Sequence, residues 1–310
     1  MCSTTRLLIL LSGIVLTGFT LPPAQAQVTG WRGDGSGRFT KAQPPTKWSK
    51  DSENILWKTE LAKGYSSPVL NDGQLFLTAQ PAEVICIDAV KGTELWRQTA
   101  NYTTTLGAAE AARIAAIQSK LDAEKREISK KYKDLQKAQP DSPQLERLKD
   151  QRKEVDNRRR DFERKFPSEK RGGAGNAAAT VLCDGKRVFA LFGTGILAAF
   201  RVDGQPLWSR HLEAPQQGFG HSASPVIAAG KLIVHIQHLT ALEPETGKTI
   251  WRTDVPAKFG TPAITQLGGN DIIVTASGSL VDATDGRLLA EKQFQLSHNS
   301  PLVHDGIIYA

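Results

Sequence analysis

The segment LTALEPETGKTIW, from Leu239 to Trp251, runs from an apolar strand into a turn at Gly247, and a Trp follows that glycine by four residues. The same pattern returns in Ile85 to Trp96 and Leu197 to Trp208, and in Ser279 to Ala290 with alanine in place of the Trp. A recurring pattern of this kind indicates a repeat architecture, because one such unit cannot bury its apolar face alone. The chain is therefore predicted to be a row of small units that share their cores.

Each repeat contains a second element, a β-hairpin that precedes the strand and turn. A short apolar strand leads into an Asp-Gly or Gly turn, where glycine supplies the positive φ that the turn needs, and a second strand follows. The hairpins occupy Ser66 to Ala79, Ala179 to Phe192, Ser224 to His235, Thr261 to Ala276 and Ser300 to Ala310. Together the two elements predict an antiparallel sheet of about four strands in each repeat.

The spacing of the repeats indicates β-propeller blades. Trp57 and Trp96 are 39 residues apart, and Trp208 and Trp251 are 43 residues apart. Propeller blades are four-stranded units of about 40 residues. We expect an all-β propeller with four complete blades and the start of a fifth, an incomplete ring of about four and a half blades.

An insertion separates the first two blades, because Trp96 and Trp208 are 112 residues apart. Residues 101–173 have apolar residues at heptad a and d positions on both sides of the breaker Gln139 to Pro143. This pattern predicts an antiparallel α-helical hairpin. Polar residues at several heptad core positions make it a marginal coiled coil if it stands alone.

The hairpin carries most of the net charge of the chain. Residues 101–173 contain 19 Lys or Arg and 13 Asp or Glu, and so account for +6 of the formal charge of +7. The densest cluster, a candidate partner-binding site, consists of Arg158, Arg159, Arg160, Arg164 and Lys165. It has two interpretations: a solvated helix face with i,i+4 ion pairs, or a surface for lipid headgroups, lipopolysaccharide or acidic polysaccharide.

The N-terminus has the form of a secretory signal peptide. Arg6 precedes an apolar run from Leu7 to Phe19, and Ala24-Gln25-Ala26 gives a small-residue cleavage site before Gln27. The run is too short for a membrane span, which takes about 20 residues. We expect a periplasmic or secreted protein with no transmembrane segment after cleavage, and export argues against a nucleic acid partner. Cys86 and Cys183 are predicted as small core residues, with a disulfide between them as the alternative.

These features divide the chain into five parts. The predicted parts are a signal peptide at 1–26, a leading segment and closing strand at 27–57, a blade at 58–100, the hairpin at 101–173, and further blades at 174–310 with the last one truncated. Asn54 to Trp57 is predicted as an outermost strand that needs a partner blade. Because a sheet edge left open is disfavoured, we expect the sequence to be a piece of a longer closed ring.

The repeats resemble those of PQQ-like (pyrroloquinoline quinone-like) β-propeller proteins, whose blade signature is an apolar strand, an acidic residue, a Thr-Gly turn and a Trp. The opening residues Trp31 to Gly37, Pro44 to Trp48 and Asn54 to Lys58 are similar to those of exported members common in planctomycete-type bacteria. The resemblance covers about Trp31 to Asn101 and Gly175 to Ala310. It is specific for the fold and weak for the function.

The resemblance implies structural roles for the motif residues. In this family the Trp commonly docks between neighbouring blades and the acidic residue fastens its turn. The second blade departs from the pattern, with Phe200 at the acidic position and Asp203 at the tip of the turn. The motif positions are Trp57, Asp88, Gly92, Trp96, Gly204, Trp208, Glu243, Gly247, Trp251, Asp282 and Gly286. We expect no catalytic residue among them.

Three function classes follow from the resemblance. A quinoprotein dehydrogenase would hold PQQ and calcium, but this sequence lacks the adjacent-cysteine pair of that class and an evident set of calcium ligands. A scaffold would resemble the propeller lipoprotein of the outer-membrane β-barrel assembly machinery, although the lipobox cysteine is missing. We favour an exported non-catalytic scaffold or binding module, with no cofactor or metal expected.

A binding module for a small molecule or polysaccharide is the third class. Residues that lead into the innermost strands would face the central channel, where polar rings can bind ligands. The channel candidates are Tyr65, Ser66, Asn176, His221, Ser222, His298 and Asn299. His235 and His238 lie on or just beyond a strand and are predicted to be solvated.

Overall fold

The computed structural model describes residues 29–39, 42–49, 53–169, 175–216 and 220–310. The predicted signal peptide at 1–26 lies outside these ranges. In the described residues, four antiparallel four-stranded sheets and a two-stranded hairpin follow one another along the chain. Strands pair in sequence order within every sheet, as in propeller blades.

The strands of the first two sheets flank the helical insertion. The first sheet consists of β1 Val69–Asn71, β2 Gln74–Ala79, β3 Glu83–Asp88 and β4 Glu94–Thr99. The second consists of β5 Leu182–Cys183, β6 Arg187–Leu191, β7 Ile196–Arg201 and β8 Pro206–His211.

The remaining sheets follow without interruption. The third consists of β9 Val226–Ala228, β10 Lys231–His235, β11 Leu239–Leu242 and β12 Thr249–Thr253. The fourth consists of β13 Ala263–Leu267, β14 Asn270–Val274, β15 Leu280–Asp282 and β16 Leu288–Ala290. The last hairpin consists of β17 Leu302–His304 and β18 Ile307–Tyr309. The predicted propeller architecture, with a helical insertion between the first and second blades, is confirmed.

The core lies between blades. One cluster joins Phe76 and Val84 of the first blade to Val188 and Phe200 of the second. Separate clusters join the second blade to the third and the third to the fourth. Each sheet thus buries its apolar faces against its neighbours, as the repeat pattern requires.

A register shift recurs between the third and fourth strands of every blade. The residue at the Trp position pairs with the residue just before the shift, as Trp96 pairs with Cys86 and Trp251 pairs with Ala241. A bulge bends its strand and re-aims the side chains beside it. The repeated shift accompanies a repeated orientation of the indole.

Each Trp indole lies on the turn of the following blade. Its Nε1 donates to a backbone oxygen there at 2.9 to 3.1 Å, in the pairs Trp57 with Ala89, Trp96 with Val202, Trp208 with Pro244 and Trp251 with Ala283. A Cβ on the glycine of that turn would lie only 2.4 to 2.7 Å from the indole, for Gly92, Gly204, Gly247 and Gly286 respectively. The glycine is therefore needed both for its positive φ and for the close approach of the ring.

The acidic motif residues hold the same turns. Asp88 accepts hydrogen bonds from the backbone N–H groups of Val90 and Lys91 at 2.9 and 2.8 Å. Asp282 accepts from the N–H of Thr284 at 2.8 Å. These hydrogen bonds lower the pKa of both carboxyl groups, so they act as turn acceptors.

Residues 53–68 form no strand among the described residues. The closing strand predicted at Asn54 to Trp57 needs the partner blade of a longer ring, so it stays a prediction. Trp57 nevertheless occupies the docking position on the first blade.

The insertion consists of three helices, α1 Tyr102–Leu106, α2 Ala108–Ala138 and α3 Gln144–Glu163. Asn101 caps α1 by accepting from the N–H of Thr104 at 2.9 Å. Gly107, with φ of +88°, carries the chain from α1 into α2. The helix α2 is about 46 Å long at 1.5 Å per residue, so the hairpin extends far beyond a blade.

The base of the hairpin is part of the propeller core. Tyr102 and Ile114 are buried in the cluster shared by the first two blades, and Phe166 packs against it. The Phe166 ring stacks on His211 of β8 with centroids 5.4 Å apart. The Tyr102 hydroxyl donates to the Pro167 carbonyl at 2.9 Å, which closes the base. The insertion is therefore integrated into the first blade seam.

Candidate functional site

A row of hydroxyl side chains links the channel-side ends of the blades. A backbone N–H of each blade donates to the hydroxyl of the next: Ser67 to Thr180 at 3.2 Å, Thr180 to Ser224 at 3.0 Å, Ser224 to Thr261 at 2.9 Å, and Thr261 to Ser300 at 2.9 Å. The sequence carried a signal for this row, since a Pro follows four of these five residues. The hydroxyls are occupied by contacts between blades.

The first three predicted channel residues have different environments. Tyr65 is 62% exposed. Ser66 accepts a hydrogen bond from the N–H of Thr78 at 3.0 Å. Asn176 is only 1% exposed, and its amide donates to the Glu169 carbonyl at 2.8 Å. The prediction that Asn176 faces the channel is wrong, because its side chain binds the segment that returns from α3 to the blades.

The two histidine candidates for the channel also differ in their exposure to solvent. His221 is 2% exposed, and its Nε2 has no hydrogen-bond partner among the described residues. Burial lowers its pKa to about 4, so the ring is neutral. His221 is therefore a buried residue and not the predicted channel ligand. By contrast, the exposed His298 stacks on Phe259 with centroids 4.8 Å apart, and Ser222 donates to the Phe259 carbonyl at 2.9 Å.

The backbone of Asn299 lies against Gly260. A Cβ on Gly260 would lie 2.2 Å from the Asn299 carbonyl oxygen. The side chain of Asn299 is exposed. The structure thus brings Ser222 and His298 together around Phe259, with Asn299 next to them.

A cleft of about 310 Å³ lies between the glycine-rich segment 30–36 and the first strands of the blades. Thr29 anchors this segment to β5, because Thr29 and Cys183 exchange backbone hydrogen bonds of 2.8 and 2.7 Å. The cleft is lined mostly by apolar groups, with Asp34 and Ser36 among its polar ones. Its principal apolar lining residues are Trp31, Leu182, Val226, Ile227, Ile264 and Val303.

The glycines shape the roof of the cleft. Gly30 and Gly33 exchange backbone hydrogen bonds of 2.7 and 3.0 Å, and Gly33 and Gly35 have positive φ of 70° and 89°. Asp34 accepts from the N–H of Ser36 at 2.8 Å. This tight loop places its backbone over the inner strands, a position that sequence reasoning did not assign.

Glu213 forms an ion-pair cluster between the second and third blades. Its carboxylate accepts from the backbone N–H groups of Gln237 and His238 at 2.7 and 2.8 Å and pairs with Arg252 at 2.6 Å. Burial opposes ionisation, but the hydrogen bonds hold the pKa of Glu213 below its ordinary value. The interpretation of His235 as solvated is wrong: it is 2% exposed, with Nε2 3.2 Å from the Val255 carbonyl.

Both described cysteines are free and buried. Burial raises the pKa of the Cys86 thiol to about 12 and that of Cys183 to about 11. These thiols are therefore core residues of low reactivity. The structure does not join them by a disulfide.

The arginine cluster of the hairpin is largely engaged within the hairpin itself. The pairs are Arg158 with Glu124, Arg159 with Asp122 and Glu163, Arg160 with Asn157, and Arg164 with Asp161. Lys165 is exposed. Ion pairing reduces the charge that three of these five residues offer to a partner, whereas Arg160 keeps its charge because Asn157 is neutral.

A family model described as outer membrane protein assembly factor BamB matches residues 46–120 and 170–310, which is most of the chain. The chain belongs to this family. The match leaves out residues 121–169, the distal part of the helical hairpin. The comparison with curated proteins finds no match to this chain.

Similar solved structures include BamB from Moraxella catarrhalis, with 12% identity, a TM-score of 0.47, and coverage of 82% of this chain and 56% of that chain. A quinohemoprotein alcohol dehydrogenase from Pseudomonas putida HK5 has 14% identity, a TM-score of 0.44, and coverage of 81% and 39%. A europium-containing methanol dehydrogenase has 11% identity, a TM-score of 0.41, and coverage of 78% and 45%. The chain spans about half the length of these structures.

A quinoprotein centre would need a calcium ion with about six to eight oxygen ligands. Across the described ranges, no three His, Cys, Asp or Glu side chains come together as candidate metal ligands. The described His, Cys, Asp and Glu side chains therefore do not fit such a centre. No helix in the described part of the chain is both long and apolar enough to cross a membrane.

Proposed function

We propose that this chain is an exported, non-catalytic scaffold whose channel-side cleft receives an apolar segment of a protein partner. The cleft carries the proposal. Its volume of about 310 Å³ and its apolar lining with a few polar groups are typical of binding pockets. A partner side chain placed against Ile227 and Ile264 would bury apolar surface that is now partly exposed.

The use of the motif residues supports binding over catalysis. Asp88 and Asp282 accept backbone hydrogen bonds, and the indoles join blades, so these recurring groups are committed to structure. The family description as an outer membrane protein assembly factor supports a protein as the partner. Export rests on the signal-like sequence before Gln27.

Site-specific photo-crosslinking in the producing cell tests the proposal. A photoreactive residue is placed at Ile227, in the cleft, and in a control at Leu267, an aliphatic residue on β13 that is 67% exposed. We expect a discrete protein adduct from position 227, absent from position 267 and lost when Trp31→Ala is added. Equal adducts from both positions would contradict a cleft-specific partner.

A small apolar molecule is the second candidate, because the volume of the cleft lies at the lower end of the range for ligand pockets. Native mass spectrometry of the purified chain distinguishes the two. A bound small molecule displaced by Ile227→Asp, without a protein adduct at position 227, would replace the protein partner with a ligand.

A further inference from the structure

Basic residues predominate on one side of the distal hairpin, and acidic residues predominate on the opposite side. A hollow on one side is lined by six basic residues of α3 and α2 and by two acidic ones, Asp156, which pairs with Lys125 at 2.7 Å, and Glu163. These basic residues are Lys125, Lys149, Arg152, Lys153, Arg159 and Arg160. The hollow on the opposite side contains Glu124, Glu127 and Glu154 with Arg158 as its one cation. The two sides of the hairpin therefore differ in sign.

The basic side continues along α2. A second hollow shares Lys125 and contains the acids Asp122 and Asp134, and it is lined also by the cations Arg126, Lys130, Lys133 and Lys137. These last four are spaced i, i+4, i+7 and i+11, so they form one stripe about 16 Å long. We call them the α2 basic stripe.

The stripe is available to a partner, unlike the arginine cluster of α3. All four side chains are exposed, and no hydrogen bond or ion pair joins them to another described residue. Arg152 and Lys153 on α3 are likewise exposed and unpaired within the described ranges. Sequence reasoning chose Arg158 to Lys165 by density, but Arg158, Arg159 and Arg164 of that cluster form ion pairs within the hairpin.

The shape and composition of this face indicate what kind of partner it binds. None of the large exposed hydrophobic residues of the described chain lies in the helices α2 and α3, so the face has no group to insert into a bilayer. The hollows contain no aromatic side chain on which a nucleic acid base could stack. The cations extend over two adjacent helices, about 20 Å across, which matches a charged plane better than a single polymer strand.

We propose that the α2 basic stripe and the adjoining α3 cations form a docking face for a membrane surface rich in anionic phosphate headgroups. Attraction between such a face and anionic lipid is electrostatic and falls off within about 10 Å at ordinary ionic strength. The family model omits residues 121–169, so the face belongs to the insertion of this chain. The proposal does not depend on the cleft or its partner.

Co-sedimentation of the full chain with lipid vesicles tests the docking face. The vesicles contain phosphatidylcholine alone or phosphatidylcholine with about one third phosphatidylglycerol. The readout is the ratio of the two bound fractions, which cancels any contribution from the apolar Leu7 to Phe19 segment. We expect the anionic vesicles to bind more chain at low salt and the difference to vanish at about 1 M salt, where the screening length is about 3 Å.

A charge-matched pair of variants locates the face. The stripe variant carries Arg126→Gln, Lys130→Gln, Lys133→Gln and Lys137→Gln, and glutamine preserves helix propensity. The control variant removes four charges elsewhere on the hairpin, with Lys120→Gln, Lys131→Gln, Arg147→Gln and Lys165→Gln. Each basic group near an anionic surface contributes about fivefold to binding, so the stripe variant should lose at least about 100-fold and the control much less.

Two results would overturn the proposal. Equal losses in the two variants would show that net charge alone governs binding. Binding to an acidic polysaccharide such as alginate, with no preference for anionic vesicles, would assign the face to a polymer. Circular dichroism of each variant at 222 nm confirms that the helices are retained, so a loss of binding reports on the surface.

Discussion

Replacing Gly247 by alanine is expected to loosen the seam between the second and third blades. Gly247 has a φ of +67°, and a Cβ there would lie 2.7 Å from Cε3 of Trp208. The left-handed backbone costs an alanine about 1 to 2 kcal/mol, and displacing the indole adds about 1 to 3 kcal/mol, as overpacking does. We expect the free energy of unfolding to fall by about 2 to 5 kcal/mol.

Gly230, in the first turn of the same sheet, is the matched control. Its φ is +70°, and a Cβ there would meet no heavy atom within 4 Å. Gly230→Ala therefore has the backbone cost alone, about 1 to 2 kcal/mol. Urea unfolding followed by Trp fluorescence measures both variants. Equal shifts of the midpoint would refute the reasoning, because the indole contact would then contribute nothing to stability.

Three further predictions concern buried groups. Phe166→Ala should lower the free energy of unfolding by about 2 to 4 kcal/mol, because Phe166 stacks on His211 where the hairpin joins the propeller; an unchanged urea midpoint would mean that the hairpin is only appended. Burial depresses the pKa of His221 from 6.5 to about 4. The stabilisation of the fold by the neutral ring is therefore complete above pH 6.5 and lost as the pH falls towards 4, which lowers the free energy of unfolding by about 3 kcal/mol. If the free energy of unfolding of a His221→Phe variant had the same pH dependence as that of the parent, this prediction would be contradicted. The thiols of Cys86 and Cys183 have pKa values raised to about 12 and about 11. In a Cys2→Ser variant, which removes the third cysteine of the sequence, they should react with a disulfide-exchange reagent at pH 8 only after denaturant is added, and rapid reaction of the folded variant would contradict their burial.

The architecture could be predicted from the sequence because its signals are local and repeated. A turn glycine followed by Trp four residues later marks a blade wherever it occurs, and Asp88 and Asp282 are bound within their own turns. The helical insertion was evident from its length and its heptad period. Such features depend on neighbours in the chain, which a sequence displays directly.

The binding surfaces could not be predicted in the same way, because they depend on contacts between distant segments. Asn176 and His221 lie in the segments that lead into the inner strands β5 and β9, yet both side chains are buried and do not face the channel. The cleft exists because Thr29 pairs with β5 and carries the glycine loop over the next blades. Arg158 and Arg159 find acidic partners across the hairpin, and a count of charges does not reveal such pairing.

The proposed function is binding without catalysis, and an activity measurement tests it most directly. The purified chain is incubated with PQQ and calcium, and reduction of an artificial electron-accepting dye is followed with a series of alcohols. For a non-catalytic chain, we expect no turnover above the rate with PQQ and calcium alone. Dye reduction that requires the chain and is abolished by a calcium chelator would contradict it.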